Sequence, residues 1–240
     1  LIKKRVPLYF FNLWYNISMK NRDYKIFEKS GIYHVYNRGV GKMNIFKDKQ
    51  DFRVFLSRLR ENIFPENKKG GSRHKNNKIY ERKTLPNNSF HLICYCLMPN
   101  HFHFLIQQRG EIPVSKLISK VCTSYSMYFN KKYKRVGTIF QDTFKAVVIE
   151  TNNQLLWVSC YIHENPRKAE LVNNLENYKF SSYLEYSGIR DDLLCTKNII
   201  LEQFHSSKVY LQNFNDSTKS KIAKEKLIGI QDLLLDEEDL

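Results

Sequence analysis

The sequence predicts an α+β fold, a ferredoxin-like split βαβ sandwich in which an antiparallel sheet carries helices on one face, plus a C-terminal helix. Three observations lead there. Four segments are dense in β-branched and aromatic residues, two long segments between them repeat apolar residues at helical spacing, and the order along the chain is βαββαβ.

The first strand is Ile32 to Tyr36, broken by Asn37, Arg38 and Gly39. Asp48 is the N-cap of a helix whose buried face is Phe52, Phe55, Leu56, Leu59 and Ile63, ending before Pro65. Residues 66–83 are rich in Lys and Arg, contain Gly70-Gly71 and almost nothing apolar, and read as a long solvated loop. Phe90 to Met98 and His101 to Ile106 form a β-hairpin turned by Pro99-Asn100. Pro113 opens a long helix with Val114, Leu117, Ile118, Val121, Tyr125, Tyr128 and Phe129 on one stripe, closing in Lys131, Lys132, Lys134 and Arg135. A fourth strand, Thr143 to Ile149, precedes a helix from Asn153 to Glu164 that Pro166 stops. Beyond Val172 the signals weaken, and the acidic run Asp236 to Asp239 is expected to be a disordered tail.

A chain of 240 residues accommodates one main domain with additions. Residues 1–18 are taken as an N-terminal extension, 19–175 as the main domain, and 176–240 as a C-terminal appendage. Lys3, Lys4 and Arg5 before a short apolar run imitate a secretory signal, but no small-residue cleavage site follows. With 39 Lys and Arg against 24 Asp and Glu, the net charge of +15 favours a polyanionic partner, of which nucleic acid is the commonest. No stretch approaches the roughly 18 apolar residues that a bilayer span needs, so no membrane association is expected. Five cysteines without a repeated spacing argue against a disulfide framework and suit a reducing, cytoplasmic compartment. Cys94 and Cys96 share one strand face and, lacking a second pair, read as buried thiols rather than a zinc site.

The strand period of two sends His101 and His103 to one face, with Phe102 on the other; two convergent imidazoles can clamp a metal or simply sit on a solvated sheet face. Tyr161 and Asn165, four residues apart, project together from one helix face, an arrangement equally compatible with packing. Gly39-Val40-Gly41 lacks the spacing and the lysine of a nucleotide-phosphate loop.

Four motifs carry a resemblance: Tyr33-His-Val-Tyr-Asn-Arg-Gly39, Tyr95-Cys-Leu-Met-Pro-Asn-His-Phe-His103, Tyr161-Ile-His-Glu-Asn-Pro-Arg-Lys-Ala169 and Ser181-Ser-Tyr183. In this order they resemble the REP-associated tyrosine transposases of the HUH single-strand DNA transposase superfamily, over residues 30–188. The resemblance implies a catalytic domain within residues 19–175, Tyr161 as nucleophile on the C-terminal helix, and His101, His103 and Asn165 as ligands of a divalent metal, Mg²⁺ or Mn²⁺. It implies an endonuclease and strand transferase acting through a 5′-phosphotyrosine link on single-stranded or hairpin DNA in the bacterial nucleoid, by a monomer or a homodimer. Departures are the length of the basic loop and the residues His163 and Glu164 between Tyr161 and Asn165. Arg38, Lys131, Lys132, Arg135 and Lys145 are the candidate phosphate contacts.

Two other readings compete. The βαββαβ order also supports RNA-recognition modules, whose aromatic Lys/Arg-Gly-Phe signature is missing here. A transposase relative that binds hairpins without cleaving them would share all four motifs.

Overall fold

The structure is a computed structural model that describes residues 26–65, 73–75, 78–80, 83–192 and 194–204. The expected N-terminal extension and acidic tail lie outside the described residues. Strand β1 (Ile32–Arg38) is followed by helix α1 (Lys49–Ile63), a short pair β2 (Arg73–Lys75) and β3 (Lys78–Tyr80), the hairpin β4 (Phe90–Met98) and β5 (His101–Gln108), helix α2 (Val114–Lys132), strand β6 (Lys145–Ile149) and helix α3 (Asn152–Lys168). Two one-turn helices, α4 (Tyr183–Tyr186) and α5 (Asn198–Leu201), complete the described chain. The main sheet is antiparallel with order β4-β5-β1-β6, which is the split βαβ arrangement.

Strand alternation gives the sheet two apolar faces. Tyr33, Val35, Tyr95, Leu97, Phe102, Phe104 and Ile106 point to a core closed by Phe52, Phe55 and Leu59 of α1 and Leu117, Val121, Tyr125 and Phe129 of α2. Tyr36, Cys94, Cys96, Leu105 and Val147 point the other way, against Leu155, Val158, Tyr161 and Ile162 of α3. A register irregularity between Leu92 and Cys94 lets Ile93 and Cys94 both join this second core. The two strand thiols are therefore buried on one face, with Cys96 Sγ 3.7 Å from Met98 Sδ.

Helix ends follow local chemistry. Asp48 accepts from Gln50 N and Asp51 N, while the Asp51 carboxylate accepts in return from Asp48 N, a capping box. Pro113 offers α2 no cap, and Gln108 Oε1 accepts from Val114 N instead. Thr151 and Gln154 form a second capping box on α3.

Two expectations need correcting. The stretch 66–83, read as loop, contains the β2–β3 pair, with Arg73 opposite Tyr80 and Lys75 opposite Lys78; its β-favouring residues are too few to show as alternation. Helix α3 does not stop before Pro166 but runs through it to Lys168. Proline lacks the N–H that would bond the Ile162 carbonyl, yet Ala169 N donates to Asn165 O and Leu171 N to Pro166 O, so the last turn closes around the gap. Asn165 and Pro166 are both buried, and that burial outweighs the local preference.

β4 is an edge strand, and the segment after α3 covers it. Leu97 N donates to Phe180 O, Ser182 N to Tyr95 O and Thr196 N to Leu92 O, while Ser182 Oγ accepts from Tyr95 N and the Tyr178 and Tyr186 hydroxyls donate to Leu97 O and Ile93 O. Residues 175–200 thus share the second core with α3. Among the described residues, no helix is long and apolar enough to cross a membrane.

Candidate active site

The alternation that buries Phe102 in the first core places His101 and His103 on the α3 face of β5, at 2% and 0% exposure. Their rings are perpendicular, with centroids 4.9 Å apart. His101 Nδ1 lies 2.6 Å from Asn100 Oδ1, and His103 Nδ1 lies 3.0 Å from His34 Nε2. The Asn100 oxygen can only accept, so His101 Nδ1 carries the proton and Nε2 of the neutral ring is a lone pair. Neither His101 Nε2 nor His103 Nε2 has a hydrogen-bond partner, although both are buried.

Burial, helped by the Arg38 charge and opposed by the Asn165 amide, holds the His101 pKa down at about 3. Burial first, and then His101, His34 and Lys168, holds His103 well below the ordinary histidine range. Both rings are therefore neutral, the form in which imidazole binds metal.

Tyr161 comes from α3, 5% exposed, its ring set edge-on to His103 at 5.5 Å between centroids and to His34 at 6.1 Å. One turn on, Asn165 Nδ2 donates to the Tyr161 carbonyl at 2.8 Å. That bond fixes the amide and leaves Asn165 Oδ1 buried without a hydrogen-bond partner, beside the His101 ring. Continuation of the helix through Pro166 keeps Tyr161 and Asn165 in register. It also carries Lys168 two turns beyond Tyr161, with Nζ 4.9 Å from the Tyr161 ring centroid.

Three buried atoms without a hydrogen-bond partner therefore belong to neighbouring side chains of the site: two imidazole nitrogens and one amide oxygen. Among the described residues there is no group of three or more His, Cys, Asp or Glu that could hold a metal ion. A cation here would need the Asn165 oxygen as its third protein ligand. Two nitrogens and one oxygen, with positions left for solvent or phosphate oxygens, fit Mg²⁺ or Mn²⁺ better than a closed tetrahedral zinc site.

The five basic candidates divide between the two sheet faces. Arg38 faces His101 across the β1–β5 ladder and lowers its pKa, while Lys145 of β6 pairs with Tyr36 on the site face. Lys131, Lys132 and Arg135 end α2 on the other side of the sheet. There Lys132 Nζ is tied to Asp48 and Asp51 at 2.7 Å, Arg135 lies over the Phe129 ring, and Lys131 is exposed. Two residues of the site escape a reading of the sequence: His34, and Lys168. His34 alternates with Tyr36 on the strand and so shares the face of the H-x-H pair, a signal that was present. Lys168 is hidden by taking Pro166 as the end of the helix.

The family model of IS200-like transposases matches residues 53–165. Among solved structures, a REP-associated tyrosine transposase bound to a REP hairpin shares the fold at a TM-score of 0.51 and 13% identity, over 70% of this chain and 86% of that one. A crystal structure from Deinococcus radiodurans R1, also ascribed to a transposase, aligns at a TM-score of 0.35 and 11% identity, over 60% of this chain and 95% of that one. Among curated proteins none matches.

Proposed function

From the match of residues 53–165 to the family model of IS200-like transposases, we propose that the chain is a metal-dependent endonuclease and strand transferase that cuts and rejoins single-stranded or hairpin DNA through a 5′-phosphotyrosine link. The observation that carries this reading is that His101 Nε2, His103 Nε2 and Asn165 Oδ1, on neighbouring side chains beside the ring of Tyr161, are all buried without a hydrogen-bond partner. The hairpin held by the REP-associated relative supports the choice of DNA partner. The catalytic unit is the domain of residues 19–175, with the edge-covering segment packed on it.

Tyr161 is the nucleophile. Its Oη forms a bond to the phosphorus while the P–O3′ bond breaks; the phenolic proton passes to solvent and O3′ takes up a proton to leave as a 3′-hydroxyl. The phosphodiester energy is kept in the Tyr161–phosphate bond, so the 3′-hydroxyl of another strand reverses the step without an energy source. His101, His103 and Asn165 would hold a divalent cation, which would supply positive charge against the negative charge of the phosphate. Asn100 keeps the His101 imidazole turned with Nε2 available. The Lys168 ammonium over the Tyr161 ring adds positive charge where the phosphate arrives. Arg38 and Lys145 extend that field along the site face, and Lys131 and Arg135 bring charge to the far side for a longer DNA path, whereas the Lys132 charge is taken up by Asp48 and Asp51.

The test is incubation of the purified full chain with labelled hairpin-bearing single strands, with Mn²⁺ or with EDTA, beside Tyr161→Phe. The expected result is a metal-dependent covalent protein–DNA adduct that Tyr161→Phe does not form. Adduct formation by Tyr161→Phe, or none by the wild type with Mg²⁺ or Mn²⁺ on hairpins it binds, refutes the assignment.

A further inference from the structure

His34 lies in β1, opposite Leu105 of β5, and reaches diagonally to His103 on the same sheet face. Its Nε2 is 3.0 Å from His103 Nδ1, while the ring centroids are 5.2 Å apart and the planes differ by only 18°. The nitrogen contact is far shorter than the centroid separation. The two rings therefore meet edge to edge, nearly coplanar, as an in-plane N–H···N bond requires. Both residues are fully buried, so neither ring swings out to solvent without opening the second core.

When both imidazoles are neutral, one such bond holds a single proton between them. If the proton sits on His34 Nε2, His103 Nε2 must bear a hydrogen and point it, unbonded, into the site. If it sits on His103 Nδ1, His103 Nε2 is a lone pair aimed beside Tyr161. His101 already has this second state imposed by Asn100. We infer that His34 is a positioning residue that accepts the Nδ1 proton of His103, fixing the tautomer and plane of that ring so that Nε2 is offered to a divalent cation. This role rests on the metal reading of the site. The arrangement gives the two ligands unlike supports: a side-chain amide in the β4–β5 turn for His101, and a second imidazole on the neighbouring strand for His103.

The prediction is directional. Removing the acceptor while keeping the volume, in His34→Phe, weakens Mn²⁺ binding on the order of 10- to 100-fold, the range that such outer partners command. His34→Gln, whose amide oxygen can accept the same proton, recovers most of that loss. A purely structural role would let Phe, the apolar replacement, serve at least as well as Gln.

Mn²⁺ affinity is measured by electron paramagnetic resonance on the full-length wild type and both variants without DNA, with thermal melts to verify folding. In parallel, ¹⁵N-histidine spectra of the Mg²⁺-loaded wild type report which nitrogen of His103 carries the proton, a readout that needs no variant. Nδ1 protonation of His103, with affinity falling in the order wild type, Gln, Phe, supports the assignment. Nε2 protonation, unchanged affinity in a folded His34→Phe, or equal losses in the two variants overturns it. A wild-type chain that binds neither Mn²⁺ nor Mg²⁺ overturns the metal reading itself, and this role with it.

Discussion

Asp51 offers the sharpest test of what holds the site's scaffold. Its carboxylate is fully buried at the start of α1 and accepts from five donors: Tyr128 OH at 3.0 Å and Lys132 Nζ at 2.7 Å on Oδ1, and Tyr133 OH at 2.7 Å, Lys47 N at 2.8 Å and Asp48 N at 3.4 Å on Oδ2. In Asp51→Asn the amide oxygen can replace one of these two acceptors, and the amide nitrogen then faces donors at the other. If the oxygen stays with Lys132, the Lys47 N–H and the Tyr133 hydroxyl lose their acceptor. Each hydrogen bond to a charged group is worth roughly 1.5–3 kcal/mol, and breaking a buried charged network typically costs about 3–5 kcal/mol, the loss predicted here. Burial raises the Asp51 pKa, but Lys132, Tyr133, the Lys47 amide and Tyr128 together outweigh it and hold the pKa below its ordinary value. A depressed folded-state pKa makes this stabilisation complete above the unfolded value of about 3.9 and removes it as pH falls through the folded one. Urea denaturation of wild type and Asp51→Asn should therefore differ by about 3–5 kcal/mol at pH 7, with the gap narrowing below about pH 4. A difference below about 1 kcal/mol at pH 7, or one that widens in acid, would refute the reasoning.

Two further outcomes are expected. Arg190→Met leaves the buried Glu185 carboxylate without the guanidinium that also binds Tyr95 OH and Ser181 O, and should cost about 3 kcal/mol in denaturation, with part recovered by adding Glu185→Gln. Asn165→Asp puts a formal charge among the two Nε2 atoms, so calorimetry should show Mn²⁺ binding tightened by about tenfold, while adduct yield falls because the added charge opposes the phosphate.

Much of this architecture was legible because hydrophobic period is a direct imprint of burial. The Phe52, Phe55 and Leu59 stripe and the alternation around Phe102 predict the first core, and both appear there. The candidate site was legible for a different reason: H-x-H on a strand and Tyr-x-x-x-Asn on a helix fix the relative direction of each pair, and the resemblance to the REP-associated transposases singled those pairs out. What was hidden depended on partners distant along the chain. Pro166 stays helical in a buried setting that no local pattern reveals. Residues 178–196 look featureless because their pattern answers to the unsatisfied edge of β4 rather than to a period of their own. Lys132, read as a phosphate contact, spends its charge on Asp48 and Asp51, carboxylates over eighty positions earlier that no local pattern connects to it.

The covering of β4 has a consequence for how the molecule is made. Phe90 to Met98 leaves the ribosome well before Tyr178, Phe180, Ser182 and Thr196, the residues that satisfy its outer edge. During that interval a nearly unbroken apolar strand presents bare amide and carbonyl groups, the template on which neighbouring nascent chains pair. Synthesis therefore contains a vulnerable window that lasts until Tyr178 to Thr196 emerge, and polysome crowding or slow elongation between these points should raise the share of chains lost to aggregation.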